Sequence, residues 1–214
     1  MSHRAGRVSR LEGNGVELVR ERALAGTVQE ALERLYWLDR VADVGDYLKG
    51  AEAGEREALL LREANDGALE MTLRLPALEG EAGLDVLCQI IEGVSHFVYV
   101  VERARVHREA TQLEMELQAE VDKWVVLAAS LRGSLDVDRS ADLRARLYER
   151  VSFEHDEASE EGQRYRLAND AAHRFVRRME REYVGRARFG EMRVELRRFF
   201  HEGQEEKLRL GRAA

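Results

Sequence analysis

Residues 58–75 read ALLLREANDGALEMTLRL, and this stretch decides the fold class of the chain. In its second half, apolar residues occupy every second position, with polar residues between them. They are Leu69, Met71, Leu73 and Leu75. A two-residue period is typical of a β-strand with one buried face. Asp66-Gly67 provides turn residues and Pro76 ends the second strand, so the stretch predicts an antiparallel hairpin.

The residues that precede this hairpin in the sequence show two weaker patterns. Residues 7–12 and 16–20 flank Gly13-Asn14-Gly15, and an Asn-Gly pair suits a tight turn. Whether residues 7–20 form a second hairpin stays open at this point. Farther along, Thr27 is a good N-cap, and the helical spacing of apolar residues after it predicts a helix to about Leu48.

After about Gly80, the apolar residues follow a helical period of 3.6 to the end of the chain. Residues 84–108 predict one helix, Thr111 caps the next, and Ser140 begins another. About five helices joined by short links predict an antiparallel helical bundle. The expected fold is α+β and predominantly α, with a small antiparallel β-hairpin layer from the N-terminal third. We expect residues 1–78 to hold the first helix and the hairpin, and residues 79–214 the bundle.

Composition and charge limit the class of protein. The chain has 214 residues, of which 44% are hydrophobic and 35% charged, and its net charge of -7 opposes general affinity for nucleic acid. The longest uncharged apolar run is far below the roughly 18–20 residues of a membrane span. The N-terminus lacks an apolar secretion signal, and Cys88 is the single cysteine. We therefore expect a cytosolic protein without disulfides or membrane insertion.

Two common catalytic motifs are excluded by single positions. Gly13-Asn14-Gly15 begins a dinucleotide-binding pattern, but Leu18 stands where the third glycine is needed. Ser95 follows a glycine by two residues, but Phe97 replaces the second glycine of a hydrolase elbow, and the surroundings are helical. The sequence also has no Gly-Lys-Ser/Thr phosphate loop. Nucleotide binding and serine hydrolysis are therefore not expected.

A metal site is the main chemical alternative. Glu92 and His96 are four residues apart, so they share one face of an otherwise apolar helix. Glu116 and Glu120 have the same spacing in the next helix, and a fold-back around Ala110 would bring the four side chains together. Imidazole and carboxylate ligands suit Zn, Fe or Mn. The spacing departs from the Glu-x-x-His of di-iron bundles, and the competing interpretation is a hydrogen-bonded polar stripe.

Two other histidines are not expected to bind ligands. His155 lies in an acidic stretch and is expected at the surface. His173 shares a helix with Tyr165 and Phe175 and is expected to pack against neighbours.

The C-terminal region is basic and suggests a recognition surface. Residues 164–214 carry 14 Lys and Arg against 8 Asp and Glu. The predicted partner-binding residues combine cations with aromatic rings. They are Arg193, Arg197, Arg198, Phe199 and Phe200. The function predicted from the sequence is a non-catalytic protein-interaction or adaptor protein without a cofactor, which binds a protein partner or itself. The alternatives are a metal-dependent bundle enzyme using the Glu/His cluster and a nucleic-acid-binding protein using the Arg-rich tail.

Overall fold

The computed structural model describes residues 8–10, 18–52, 54–63, 69–78, 80, 83–153 and 155–212. It is 68% helical, with seven α-helices and a small mixed sheet, which confirms an α+β fold that is predominantly α. The chain divides into two compact units. The first unit comprises residues 1–34 and 38–110, and the second comprises residues 35–37 and 111–214. The predicted division between residues 78 and 79 rests on the change from strands to helices and stays a prediction.

The sheet of the first unit is built around one strand. Its members are β1 (Val8–Arg10), β2 (Leu48–Gly50), β3 (Ala58–Glu63) and β4 (Leu69–Leu75). β4 pairs antiparallel with β3, with Leu59 opposite Leu73, and this confirms the predicted hairpin. β1 and β2 both pair with β4 in parallel and share its other edge. Met71, Leu73 and Leu75 are fully buried, as their alternation predicts. The predicted turn at Asp66-Gly67 lies outside the described residues.

The second arm of the predicted N-terminal hairpin is not a strand at Val19 and Arg20. Helix α1 spans Val19–Tyr36 and already includes both residues, while residues 11–17 lie outside the described part of the chain. Residues 8–10 find their strand partner in β4 instead of in a neighbouring arm. Long-range pairing with a strand sixty residues away therefore decides the conformation of this segment.

Both predicted ends of the first helix are wrong. Thr27 lies inside α1, where its hydroxyl donates to the carbonyl of Ala23 at 2.9 Å in place of capping a helix. The helix ends at Tyr36, and a 3₁₀ turn at Val44–Tyr47 leads into β2. Because β4 offers backbone partners to residues 48–50, this segment is drawn into the sheet, whatever its helical spacing.

Helix α2 (Leu84–Arg105) is the core helix of the first unit. A Cβ atom on Gly93 would lie 2.9 Å from the side chain of Leu73 and 3.0 Å from that of Leu75, so glycine lets α2 approach β4 closely. By length and composition alone, α2 is apolar enough to cross a membrane, with a mean hydropathy of 1.5. However, 72% of that window is buried inside the protein, which is typical of a core helix.

The second unit contains five helices. They are α3 (Gln112–Ser130), α4 (Val137–Arg144), α5 (Glu160–Glu182), α6 (Phe189–His201) and α7 (Gln204–Arg212). Thr111 caps α3 as predicted and forms a capping box with Glu114. The predicted start at Ser140 is wrong, because α4 begins three residues earlier at Val137, where the side chain of Asp136 caps it. The tail forms two helices, since Glu202 adopts an extended backbone between them.

Aromatic and aliphatic side chains from these helices fill the core of the second unit. The largest of them are Trp124, Phe175, Met179, Phe199 and Phe200. Ser140 and Arg144 contact Glu180, and Tyr148 stacks with His173, so α4 and the single π-helical turn after it (Ala145–Glu149) run antiparallel to α5. A fully antiparallel bundle stays a prediction.

Candidate protein-binding surface

Trp37 ends helix α1 in an unusual backbone conformation. Its φ angle is 57°, in the left-handed region, and the amide of Leu38 donates to the carbonyl of Glu33 at 2.9 Å. These are the features of a Schellman cap, whose left-handed position is usually glycine. A residue with a Cβ atom is disfavoured there by about 1–2 kcal/mol. A bulky residue in this conformation is an outlier, and such outliers cluster at binding sites.

The indole of Trp37 is exposed and is held against α6. Its exposed fraction is 76%, the largest among the exposed apolar side chains of the described residues. The guanidinium carbon of Arg197 lies 3.6 Å from the ring centroid, in cation–π contact. Nε of Arg197 also donates to the carbonyl of Leu35 at 2.6 Å. One arginine therefore fixes both the ring and the backbone before it.

Tyr36, the neighbour of Trp37, is buried and anchors this turn. Its ring stacks on Phe200 with a centroid separation of 4.2 Å, and its hydroxyl donates to a carboxylate oxygen of Asp122. The hydroxyl also accepts from Nε2 of Gln118 at 3.1 Å. Burial, followed by the charge of Asp122, raises the pKa of Tyr36 well above its usual 10.0. The phenol therefore keeps its proton and its bond to Asp122 at physiological pH.

Lys207 of α7 completes the buried network below the turn. Its side chain is fully buried, and Nζ donates to Oε1 of Gln118 at 2.5 Å. The ammonium also lies 4.6 Å from the ring centroid of Phe199. Side chains from α3 and α6 thus contact Tyr36 directly, and Lys207 of α7 contacts one of them, Gln118. Trp37 therefore follows a residue that is fixed by a buried network. Such a fixed position would lower the conformational entropy that Trp37 loses on binding a partner.

The exposed face of α6 continues the surface around Trp37. Val194 is 59% exposed and lies three residues before Arg197, while Arg193 lies four residues before it. These spacings place Arg193 and Val194 each next to Arg197 on the surface of the helix. We call Trp37, Arg193, Val194 and Arg197 the Trp37 patch.

The two arginines of the Trp37 patch differ from several arginines around them. Some of their neighbours in the tail form ion pairs within the unit. These pairs are Arg178–Glu195, Arg188–Glu191 and Arg198–Glu206. Among the described residues, no carboxylate lies within 4.0 Å of the side-chain nitrogens of Arg193 or Arg197. Positive charge is therefore available at the patch.

The structure changes the composition of the surface predicted from the sequence. Arg193 is exposed and Arg197 is half-buried under contact with Trp37. Arg198 is exposed but paired with Glu206. Phe199 and Phe200 lie in the core, where a partner of the folded protein cannot reach them. The aromatic residue of the surface is Trp37 instead, from a different part of the sequence.

Sequence reasoning missed Trp37 because its surroundings imitate a helix interior. Leu35 and Leu38 continue the apolar spacing of α1, and no glycine or proline marks the turn. The single local signal is a tryptophan directly before the charged pair Asp39 and Arg40, which does not by itself predict a helix end.

Three of the four predicted metal ligands are buried, and Glu120 is half-buried. Glu92 and His96 are both buried on α2, and a carboxylate oxygen of Glu92 lies within 4.8 Å of a ring nitrogen of His96. On α3, Glu116 is buried, and Glu120 accepts from Nζ of Lys123 at 2.8 Å. Each pair shares one helix face, as its spacing predicts. The joint four-residue site stays a prediction.

His173 packs against a charged cluster near the π-helical turn. Its Nε2 lies 2.7 Å from Nη1 of Arg144 and 3.3 Å from Oε1 of Glu149. Since arginine can donate only, Nε2 accepts and the ring is neutral. Burial, followed by the charge of Arg144, lowers the pKa of His173 from 6.5. His155 is partly exposed at the surface, where its ring stacks on Tyr165.

Comparisons with protein-family models, with curated proteins and with solved structures found no match to this chain. The case for a function therefore comes from the residues themselves.

Proposed function

We propose that this protein is a cytosolic, non-catalytic interaction protein that docks a protein partner through the Trp37 patch. The observation that carries the proposal is an exposed indole in a left-handed backbone position, fixed by Arg197 at 3.6 Å and by buried Tyr36. Tryptophan and arginine are the residues most enriched among binding hot spots. A large, rigid, exposed apolar side chain next to guanidinium groups is the composition expected of such a site.

The test is a selection of peptides from a displayed random library on the immobilised protein. We expect peptides whose affinity falls at least tenfold in Trp37→Gly, a change that the left-handed position accommodates. Leu167→Ala serves as the control, because Leu167 is also exposed but lies on α5. We also expect any self-association, measured by sedimentation equilibrium, to weaken in Trp37→Gly. If neither peptide binding nor self-association depends on Trp37, the proposal is wrong.

A second candidate function is metal binding at Glu92 and His96. The specific observation is the burial of both ligand types on an otherwise apolar helix, with their donor atoms within 4.8 Å. Glu116 and Glu120 are the proposed further ligands, and Zn, Fe or Mn the proposed ions. Elemental analysis of the purified protein tests this candidate. Stoichiometric metal that is lost in His96→Ala would support it, whereas metal-free protein of unchanged stability would end it.

The third alternative, nucleic-acid binding through the Arg-rich tail, is the weakest of the three. Of the arginines that would form a cationic track, Arg178, Arg188 and Arg198 pair with glutamates. Binding of a DNA oligonucleotide at low salt, with a steep loss of affinity as salt rises, would be the result that favours it.

A further inference from the structure

We infer that the Trp37 patch takes an acidic protein segment in which two carboxylates, about 6 Å apart, flank an apolar side chain. This inference rests on the proposed function, since it names the partner chemistry of the same surface.

Arg197 has hydrogen-bond donors that a partner can use. A guanidinium has five N–H groups, and the one on Nε is used by the carbonyl of Leu35. Contact with Trp37 holds the group in place. Within the described ranges Arg197 makes no other hydrogen bond, so the N–H groups of Nη1 and Nη2 can bind another acceptor. A pre-oriented planar fork matches a carboxylate, which it can bind through two parallel hydrogen bonds. Arg197 is therefore arranged as a carboxylate receptor.

The spacing of Arg193 and Arg197 along α6 matches that of a pair of acidic residues. Arg193 is one helical turn from Arg197, which corresponds to about 6 Å along the axis at 1.5 Å per residue. Two acidic residues at i and i+4 of a helix, or at i and i+2 of a strand, present carboxylates at about this separation. One acidic pair can thus bind both guanidinium groups at once.

The Trp37 patch also has an apolar part. Val194 is exposed one helical turn from Arg197, and Trp37 contacts Arg197, so apolar surface adjoins this cation. A purely electrostatic ligand would leave this surface in water. A segment that places an aliphatic or aromatic side chain beside its carboxylates would bury it and also desolvate the ion pairs, which strengthens them.

These features favour a protein over a nucleic acid as the acidic partner. The patch offers an exposed tryptophan and valine and two arginines that have no carboxylate partner in the part of the chain that the structure describes. Several of the arginines that would extend it along a phosphate backbone are paired with glutamates, as in Arg188–Glu191 and Arg198–Glu206. A partner with few, well-placed charges and an apolar group fits this surface better than a uniform polyanion.

The experiment starts from the Trp37-dependent peptides of the library selection. We expect them to be enriched in Asp or Glu next to an apolar residue. In each, replacing the acidic residues by Asn or Gln should weaken binding to the wild-type protein at least tenfold. The same replacement should weaken binding to an Arg193→Gln/Arg197→Gln protein less than threefold, because this protein lacks the arginine charges with which the peptide carboxylates would pair. Arg186→Gln is the matched control, since Arg186 is exposed but outside the patch.

The outcomes separate the two proposals. Trp37-dependent peptides without acidic residues, or equal losses on both proteins, would overturn the acidic-segment inference and leave the proposed function standing. A complete lack of Trp37-dependent peptides and self-association would overturn both. A labelled DNA oligonucleotide that binds more tightly than the peptides and loses affinity in Arg193→Gln/Arg197→Gln would overturn the inference in favour of a nucleic acid.

Discussion

At the scale of single residues, Trp37 combines an unfavourable backbone conformation with a side chain that contributes little to the core. Its φ of 57° is disfavoured for any residue with a Cβ atom, yet its indole is 76% exposed. Tyr36, which anchors this turn, keeps its stacking on Phe200 and its hydrogen bond to Asp122 without the indole. A conformation of this kind is explained by use in binding more readily than by stability.

Replacing Trp37 by glycine should therefore have little effect on folding. We expect the free energy of unfolding to change by less than about 1 kcal/mol, because relief of the left-handed strain offsets the lost cation–π contact and the greater freedom of glycine in the unfolded chain. Urea denaturation followed by circular dichroism measures this change. A loss above about 2 kcal/mol would show that the indole is a structural residue.

His173 provides a residue-scale prediction about pH. Its pKa in the folded protein is lowered from 6.5, by burial first and by Arg144 second. Because the unfolded chain binds the proton more readily, the contribution of His173 to stability is complete above about pH 6.5. It is lost as the pH falls from 6.5 through the lowered pKa. Protonation would also place a second cation 2.7 Å from Nη1 of Arg144.

The measurement compares wild type with His173→Gln in urea denaturation between pH 7.5 and pH 5. We expect the wild type to lose stability faster than the variant as the pH falls, since the variant lacks this titrating group. Comparing the two proteins removes the contributions of the other histidines. Parallel curves would mean that the environment of His173 does not disfavour its charged form.

At the scale of elements, α7 is a short helix whose position depends on close backbone contact with α5. It spans only nine residues, and a Cβ atom on Gly211 would lie 2.8 Å from the carbonyl oxygen of Ala171 on α5. A backbone oxygen cannot move aside as a flexible side chain can. Glycine is therefore required where α7 crosses α5.

Two glycine substitutions test this contact. Gly211→Ala should lower the free energy of unfolding by about 1–3 kcal/mol, because overpacking outweighs the gain in helix propensity. Gly190→Ala is the matched control, since Gly190 lies in α6 with no heavy atom near the added methyl group. It should raise stability by up to about 1 kcal/mol. Equal effects of the two changes would contradict the close crossing.

At the scale of the whole molecule, the C-terminal tail belongs to the core of the second unit. Met192, Leu196 and Leu210 are buried together with Phe199 and Phe200, and Lys207 is fully buried. The charge asymmetry of the sequence suggests a separable recognition tail. The structure gives these residues a packing role as well, and it leaves Arg193 and Val194 of α6 exposed.

Deleting residues 186–214 should therefore unfold the second unit instead of producing a folded protein that lacks only its binding surface. We expect a lower helical signal than the missing residues account for and a lower midpoint of thermal unfolding, measured by circular dichroism. The cause is the exposure of the core residues that α6 and α7 cover. A truncated protein with an unchanged midpoint would show that the tail is not part of the cooperative unit.

The sequence by itself determined the fold class, the β3–β4 hairpin and the capping box that begins α3. Each of these depends on neighbouring residues: the alternation of Met71, Leu73 and Leu75, and the pairing of Thr111 with Glu114. The predicted helical spacing of Glu92 and His96 on one face was also correct for the same reason. Local periodicity and local hydrogen bonds are properties that a short segment carries with it.

Only the tertiary structure decided where α1 ends, what pairs with residues 8–10, and which aromatic residue is exposed. Residues 48–50 became a strand because β4 offered them backbone partners, and Phe199 and Phe200 were buried because α5 and α1 supplied ring contacts. Trp37 was left outside because Tyr36 took the buried place beside Asp122. These outcomes depend on residues far apart in the chain, so local spacing does not encode them.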